Sequence, residues 1–232
     1  NKLFGRFTDN RNFRDYRLWG LGDADTDART DQRNNYNGLL AHTYVFSPAV
    51  VNEFRANITR QSLDFIHPSF DKGWPAKLGF PAIIPQDAFP PINIDGILSI
   101  GSARGGFAGG FRKHHTVQFT DSLTFVRGKH TFKAGIDQRW IRLNFTNRSN
   151  PSGNFTFGAT LTNNPQVPAG SGIGMATFLL GEVSSGSLGI RPQFAFQSWS
   201  HASYFQDDFK VTKRLTLNLG IRYDLYSGPV ER

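Results

Sequence analysis

Between Leu215 and Leu225 the odd positions are Leu215, Leu217, Leu219, Ile221, Tyr223 and Leu225, while Thr216, Asn218, Gly220, Arg222 and Asp224 fill the even ones. Side chains alternate across a strand, so this stretch has one apolar and one charged face. The same period recurs upstream. Val117, Phe119, Leu123 and Phe125 oppose Thr116, Gln118, Thr120, Ser122 and Thr124. After "RGK" the phase flips, and Phe132, Ala134, Ile136 and Trp140 oppose Thr131, Lys133, Asp137 and Arg139. Tyr36, Leu40, Tyr44 and Phe46 alternate with polar or small neighbours. Phe54, Ala56 and Ile58 alternate with Glu53, Arg55, Asn57 and Thr59, and "NKLFGRFT" reads as the end of a further strand. About seven antiparallel strands are predicted.

Turn lengths agree with the phases, because a one-residue slip would invert every side chain. Phe125 and Phe132 need an even loop, which Arg127-Gly128 supplies. Val211 and Leu215 need an odd one, met by Thr212-Lys213-Arg214, and "SPAVV" between Phe46 and Asn52 is also odd. The alternate connections, about 9–33, 66–111 and 146–198, are rich in Gly, Pro, Asn and Asp. They far exceed the roughly 12–15 residues that compact domains tolerate without structure. Within the last, "GMATFLLGE" (Gly174–Glu182) fits a short helix or a strand.

Short turns at one end and long loops at the other describe an all-β antiparallel transmembrane barrel segment, with periplasmic turns and extracellular loops. Eleven residues from Leu215 to Leu225 span about 36 Å, or about 28 Å along the membrane normal at a tilt near 40°. Tyr223 and Trp140 fall toward the long-loop end, and Phe46, Phe125 and Phe209 toward the short turns, as girdle aromatics do. Alternation alone also fits a soluble sandwich with its aromatics in a core. Asp121 and Asp207 run against the barrel reading, since both fall on the apolar face; both also lie five or six residues before a short turn, near the periplasmic border.

Composition sharpens this picture. The chain has 232 residues, 38% hydrophobic and 14% aromatic, with 22 Phe, 24 Gly, one Met and no Cys. Without cysteine, disulfides, thiol catalysis and cysteine-ligated metals are excluded. No apolar run is long enough for a spanning helix. The single Met, absent from position 1, fits an internal piece of a longer protein. A net charge of +8 raises nucleic-acid binding, but the basic residues are scattered singly among acidic ones, and no nucleic-acid partner is expected.

"YFQDDFKVTKRLTLNLGIRYDLYSGP" (Tyr204–Pro229) resembles a segment of TonB-dependent outer-membrane receptors, especially the Oar-like barrels. "DSLTFVRGKHTFKAGIDQRW" (Asp121–Trp140), "FSPAVVNEFRANITR" (Phe46–Arg60) and "ATFLLGE" resemble further pieces of that group, in the family's order. The resemblance implies a barrel of about 22 strands, plugged by an N-terminal domain, in the bacterial outer membrane. It also implies uptake of a scarce or bulky ligand with energy relayed by TonB. All of residues 1–232 then belong to a partial barrel domain without plug, TonB box or final aromatic strand.

Candidate chemistry is sparse. Asp23, Asp25 and Asp27 alternate as in a calcium loop, but Ala28 and Asn34 stand where an EF-hand needs Gly and Glu, so a solvated acidic loop is the stronger reading. "GSARGGFAGG" (Gly101–Gly110) lacks the Lys-Ser/Thr of a phosphate cradle and reads as a loop. His114 and His115 point to opposite faces, and His42, His67, His130 and His201 stand alone. Sequons at Asn57, Asn144, Asn147 and Asn154 arise by chance in an Asn/Thr-rich barrel. No cofactor and no catalysis are expected, since no paired acid, GxSxG or HExxH pattern is found.

The inward face carries Glu53, Arg55, Lys133, Asp137, Arg139, Asp208, Lys210, Arg222 and Asp224, suited to water, plug contact or ligand passage. Expected partners are outer-membrane lipid and lipopolysaccharide, the protein's own plug and TonB complex, and an unidentified imported ligand. Two alternatives remain: a passive porin, and a secreted soluble β-sandwich of carbohydrate-binding or glycosidase type.

Overall fold

A computed structural model of the chain describes residues 1–17, 19–97, 99–102, 107–167, 169–189 and 193–232. In chain order the strands are β1 (Lys2–Tyr16), β2 (Arg29–Ser47), β3 (Val50–Ile66), β4 (Ile92–Ile94), β5 (Phe107–Arg127) and β6 (His130–Ser149). They continue with β7 (Asn154–Phe157), β8 (Ser185–Ser187), β9 (Gln193–Lys210), β10 (Thr216–Tyr226) and β11 (Val230–Glu231). Two short helices, α1 (Trp74–Lys77) and α2 (Gly174–Leu179), lie in the long connections.

The main sheet runs β1-β2-β3-β5-β6-β9-β10, antiparallel throughout. Its seven long strands match the expected number, and its register puts every predicted apolar series on one side. Phe54 faces Asp121, which faces Ile136, Ser203 and Tyr223 in turn; four residues along each strand, on the same side, Ile58, Val117, Trp140 and Trp199 form a continuous row. The sheet does not close on itself, and its outer strands are β1 and β10. It is a segment of barrel wall.

No second layer covers the apolar side among the described residues. Phe7 is 71% exposed, Ile58 57%, Leu219 58% and Ile221 73%. A soluble sandwich would bury such a face against a second sheet. The buried apolar cluster, Phe89, Ile92, Ile94 and Phe157, instead lies outside the main sheet altogether.

The turns are tighter than read from the sequence. Between β5 and β6 the central residues are Gly128-Lys129, one position later than expected, with Gly128 at φ +62°. A bulge at Phe46 absorbs the odd residue before the turn Pro48-Ala49, so "SPAVV" is largely strand. The β9–β10 connection closes with a bond from Thr212 N–H to Leu215 O of 3.2 Å. A second bulge at Ser227–Pro229 separates β10 from β11, both of which pair with β9. Proline has no N–H to lose there.

The expected long loops shrink. Residues 9–33 are mostly strand, since β1 runs to Tyr16 and β2 starts at Arg29; Gly109 and Gly110 belong to β5, while residues 103–106 lie outside the described ones. These strand ends carry polar residues on both faces, so no alternation marks them. That is the signature of wall standing in water on both sides, beyond the hydrocarbon.

In β6 ten residues separate His130 from Trp140, about 33 Å of strand and about 25 Å along the normal at a tilt near 40°. A barrel's apolar band is about that tall. Single-cysteine variants of the full-length parent test the two faces, taking advantage of a segment that has no cysteine of its own. Asn218→Cys is expected to react with a water-soluble maleimide in membranes, while Leu219→Cys and Ile221→Cys stay unlabelled. Equal labelling at all three would contradict a lipid-facing leucine side.

Candidate functional site: lumenal wall and extracellular cap

The polar side of the sheet is the candidate lumenal wall. All of Glu53, Arg55, Lys133, Asp137, Arg139, Asp208, Lys210, Arg222 and Asp224 fall on that one side, as the pairing Arg55–Thr120–Asp137–Ala202–Asp224 illustrates. Charges two residues apart along a strand share a face, and here they neutralise one another. Arg222 Nη2 lies 2.8 Å from Asp224, Arg139 3.1 Å from Asp137 and Arg55 3.6 Å from Glu53. Gln118 adds an N–H bond to Asp137 at 2.9 Å, and Gln206 one to Asp208 at 2.9 Å. The result is a wetted wall of self-paired charge.

Nearer the long-loop end the same face turns cationic. Arg33, Gln61, Arg112 and His114 line a hollow of about 360 Å³. No alternation marks these residues: Arg33 falls in the stretch 9–33 expected as loop, and Arg112 precedes the alternating series that begins at Thr116. Counting by twos back from Thr116 would have placed Arg112 and His114 inward.

Asp121, Asp207 and His201, on the apolar side, each have a side-chain partner. Asp121 accepts from Asn52 Nδ2 at 2.7 Å, and Asp207 Oδ2 lies 2.7 Å from His130 Nδ1. The His130 ring stacks on Phe209 at 4.2 Å between centroids. His201 contacts Gln138 and lies 2.8 Å from Ser203 Oγ. The histidines thought isolated at 130 and 201 therefore satisfy neighbours where water is scarce.

Above the sheet the three long connections fold together into a cap. β4 pairs in parallel with β7, and β7 with β8, joining the second and third connections. Phe89, Ile92, Ile94 and Phe157 form its core, with Phe178 edge-on to Phe157 at 5.1 Å and Trp74 5.0 Å from Phe89. "GMATFLLGE" supplies α2, which resolves the helix-or-strand alternative. Gly174 meets the Asp95 N and Phe157 O backbone so closely that an added Cβ would lie 2.8 Å from each.

The acidic triplet belongs to this cap. Asp25 is buried and accepts from the N–H groups of Trp19 (2.9 Å), Gly20 (3.1 Å) and Asp27 (3.0 Å). Asp23 pairs with Lys72 Nζ at 2.8 Å and accepts from Trp74 Nε1 at 2.8 Å, whereas Asp27 takes Trp19 Nε1 at 3.3 Å. Among the described residues no group of carboxylates and histidines is placed to hold a metal ion. The three carboxylates diverge onto protein donors and tie the first connection to the second. Burial alone would raise the Asp25 carboxyl, but its backbone N–H partners outweigh burial and hold it below the ordinary carboxylate value.

His67 completes the tie. Its Nε2 lies 2.7 Å from Asp25 O and its Nδ1 2.7 Å from Ser69 Oγ, which accepts in turn from Phe89 N–H at 2.9 Å. The carbonyl requires Nε2–H to donate, leaving Nδ1 as acceptor and the ring neutral. Burial pushes the His67 pKa below its ordinary value. One face of the cap opens as an apolar hollow of about 570 Å³ lined by Leu78, Phe80, Ile84, Phe155, Phe178 and Val183 among others. Hollows of this size and lining take small, largely apolar ligand groups.

The sequence matches the outer membrane beta barrel domain family over residues 1–232, and the chain belongs to that family. It is accordingly a protein of the bacterial outer membrane. No curated protein matches it. Among solved structures it is similar to the outer membrane transporter YddB from Escherichia coli, at 11% identity and a TM-score of 0.49. That match covers 99% of this chain but 26% of YddB, so the chain spans about a quarter of that protein's length.

Two outcomes follow for the cap. Because the folded His67 pKa is depressed, protonation favours the open form: stability is full above about pH 6.5 and declines as pH falls below it. Amide protection at Ser69 and Phe89 is expected to drop between pH 7 and pH 5, and His67→Gln to flatten that dependence. Gly174→Val is expected to make the connections sensitive to protease while the strands keep their resistance to heat and detergent.

Proposed function

We propose that this chain is a sector of the barrel of a TonB-dependent receptor of the Oar-like type, importing a scarce or bulky ligand with energy relayed from the inner membrane. The observation that carries the reading is the folded cap. Three connections tied by β4–β7, Asp25–His67 and Asp23–Lys72 form a built surface with an apolar hollow, suited to capture rather than free diffusion. Beneath it, the self-paired charges of the lumenal wall offer a polar plug many weak, hydrated contacts. The role is transport without catalysis and without a cofactor. In this reading the partners are the protein's own plug domain, the TonB complex, and the lipid and lipopolysaccharide around the wall.

The rival within the same membrane is a passive porin, and conductance separates the two. Full-length parent protein in planar lipid bilayers in KCl is expected to show no standing conductance, and deletion of its plug domain to produce large open channels. Steady conductance from the intact protein would mean an open pore and would overturn energy-coupled uptake.

A further inference from the structure

On the apolar side, three neighbouring strands change character as they leave the hydrocarbon band. In β3, Ile58 is followed two residues on by Arg60; in β5, Val117 gives way to His115; in β6, Trp140 gives way to Arg142. Arg60, His115 and Arg142 stand directly opposite one another across the sheet and therefore project from the same face. Arg232 joins them from the neighbouring edge, its Nη2 3.4 Å from Asn144 Oδ1. His115, Arg142 and Arg232 line, with Val117, Trp140 and Asn144, a hollow of about 340 Å³, and Arg60 stands beside it opposite His115.

These cations differ from those of the lumenal wall in their ion pairing. Among the described residues, no carboxylate forms an ion pair with Arg60, Arg142 or Arg232, whereas Arg55, Arg139 and Arg222 each have one. The Arg142 guanidinium lies 4.3 Å over the Trp140 ring, and its Nε is buried with no hydrogen-bond partner. Gathering cations without counterions at the border of a low-dielectric layer is costly, and an anion held there recovers that cost. A stacked guanidinium keeps its outer N–H edge free for a planar or tetrahedral oxyanion.

Directly toward the hydrocarbon, a second hollow of about 500 Å³ shares Val117 and Trp140 and continues over Phe119 and Trp199. A ligand that fills both has a negative headgroup and an apolar tail, and its head sits at the outer-leaflet surface.

We propose that this patch binds the phosphorylated glycolipid of the outer leaflet, lipopolysaccharide, with a lipid phosphate on Arg60, His115, Arg142 and Arg232 and an acyl chain along Val117, Phe119, Trp140 and Trp199. The site rests on the partner reading above, in which lipopolysaccharide meets this wall, and gives that contact its residues. It does not depend on energy coupling.

The test uses the full-length parent, purified from outer membranes in detergent and stripped of lipid. Native mass spectrometry follows titration with bis-phosphorylated lipid A, dephosphorylated lipid A and inorganic phosphate. Wild type is expected to bind phosphorylated lipid A, and Arg60→Gln with Arg142→Gln to weaken it about a hundredfold, on the order of tenfold for each charge-assisted contact. Each single variant, about tenfold weaker, carries the test if the double variant does not reach the membrane. Lys213→Gln with Arg214→Gln, on the opposite turn, is expected to leave affinity unchanged, and heat-modifiable migration reports folding. Wild-type affinity in the Arg60/Arg142 variants, or equal affinity for dephosphorylated lipid A, would overturn the site. Inorganic phosphate competing as well as lipid A would make it a site for soluble anions and overturn the lipid assignment. Labelling of Ile83→Cys on intact cells reads orientation separately. Failure there removes the outward-facing cap on which the partner reading depends, whereas lipid failure with Ile83 labelled removes only this site.

Discussion

Everything in the main sheet depends on one constraint: a peptide group in hydrocarbon has no water to bond. Its N–H and C=O must find partners in the neighbouring strand or cost several kcal/mol each. The antiparallel ladder that runs from β1 to β10 meets that demand and leaves side chains free to serve two solvents. The leucine series of β10 and the arginine–aspartate series beside it follow from a period of two imposed on a wall with lipid on one side and water on the other.

The wall also explains how the apolar side tolerates polar groups. Asp121 with Asn52, and Asp207 with His130, lie toward the short turns, and His201 is enclosed by Gln138 and Ser203. None faces lipid without a partner. The same economy governs the inward face, where the charges come as acid–base neighbours along single strands. Only beyond the band does the pattern relax, and there cations gather on both faces.

Strand number, facing and phase were legible in the sequence because each of those strands crosses a boundary between unlike solvents. The nine charged residues assigned to the lumen share one side of the sheet for that reason. Legibility failed where the boundary ends. Asp9 to Tyr16 and Arg29 to Arg33 read as loop because water bathes both faces and no alternation is imposed. The cap was hidden for a different reason. Its contacts join residues far apart in the chain, such as Asp25 with His67 or Ile92 with Phe155, and no local period announces them. Asp23, Asp25 and Asp27 carried a visible spacing, but their chemistry was set by Lys72, Trp74 and backbone N–H groups that the spacing did not reveal.

The parallel pairing of β4 with β7 has a consequence for how such a surface can diversify. Where outer loops are independent, each can lengthen or change composition alone, and recognition drifts loop by loop. Here the connection after β3 and the connection after β6 share a backbone ladder and an aromatic core. A change in one is felt by the other, so grafting either connection alone onto a relative would leave half a ladder exposed. Recognition on this rim is inherited as a block.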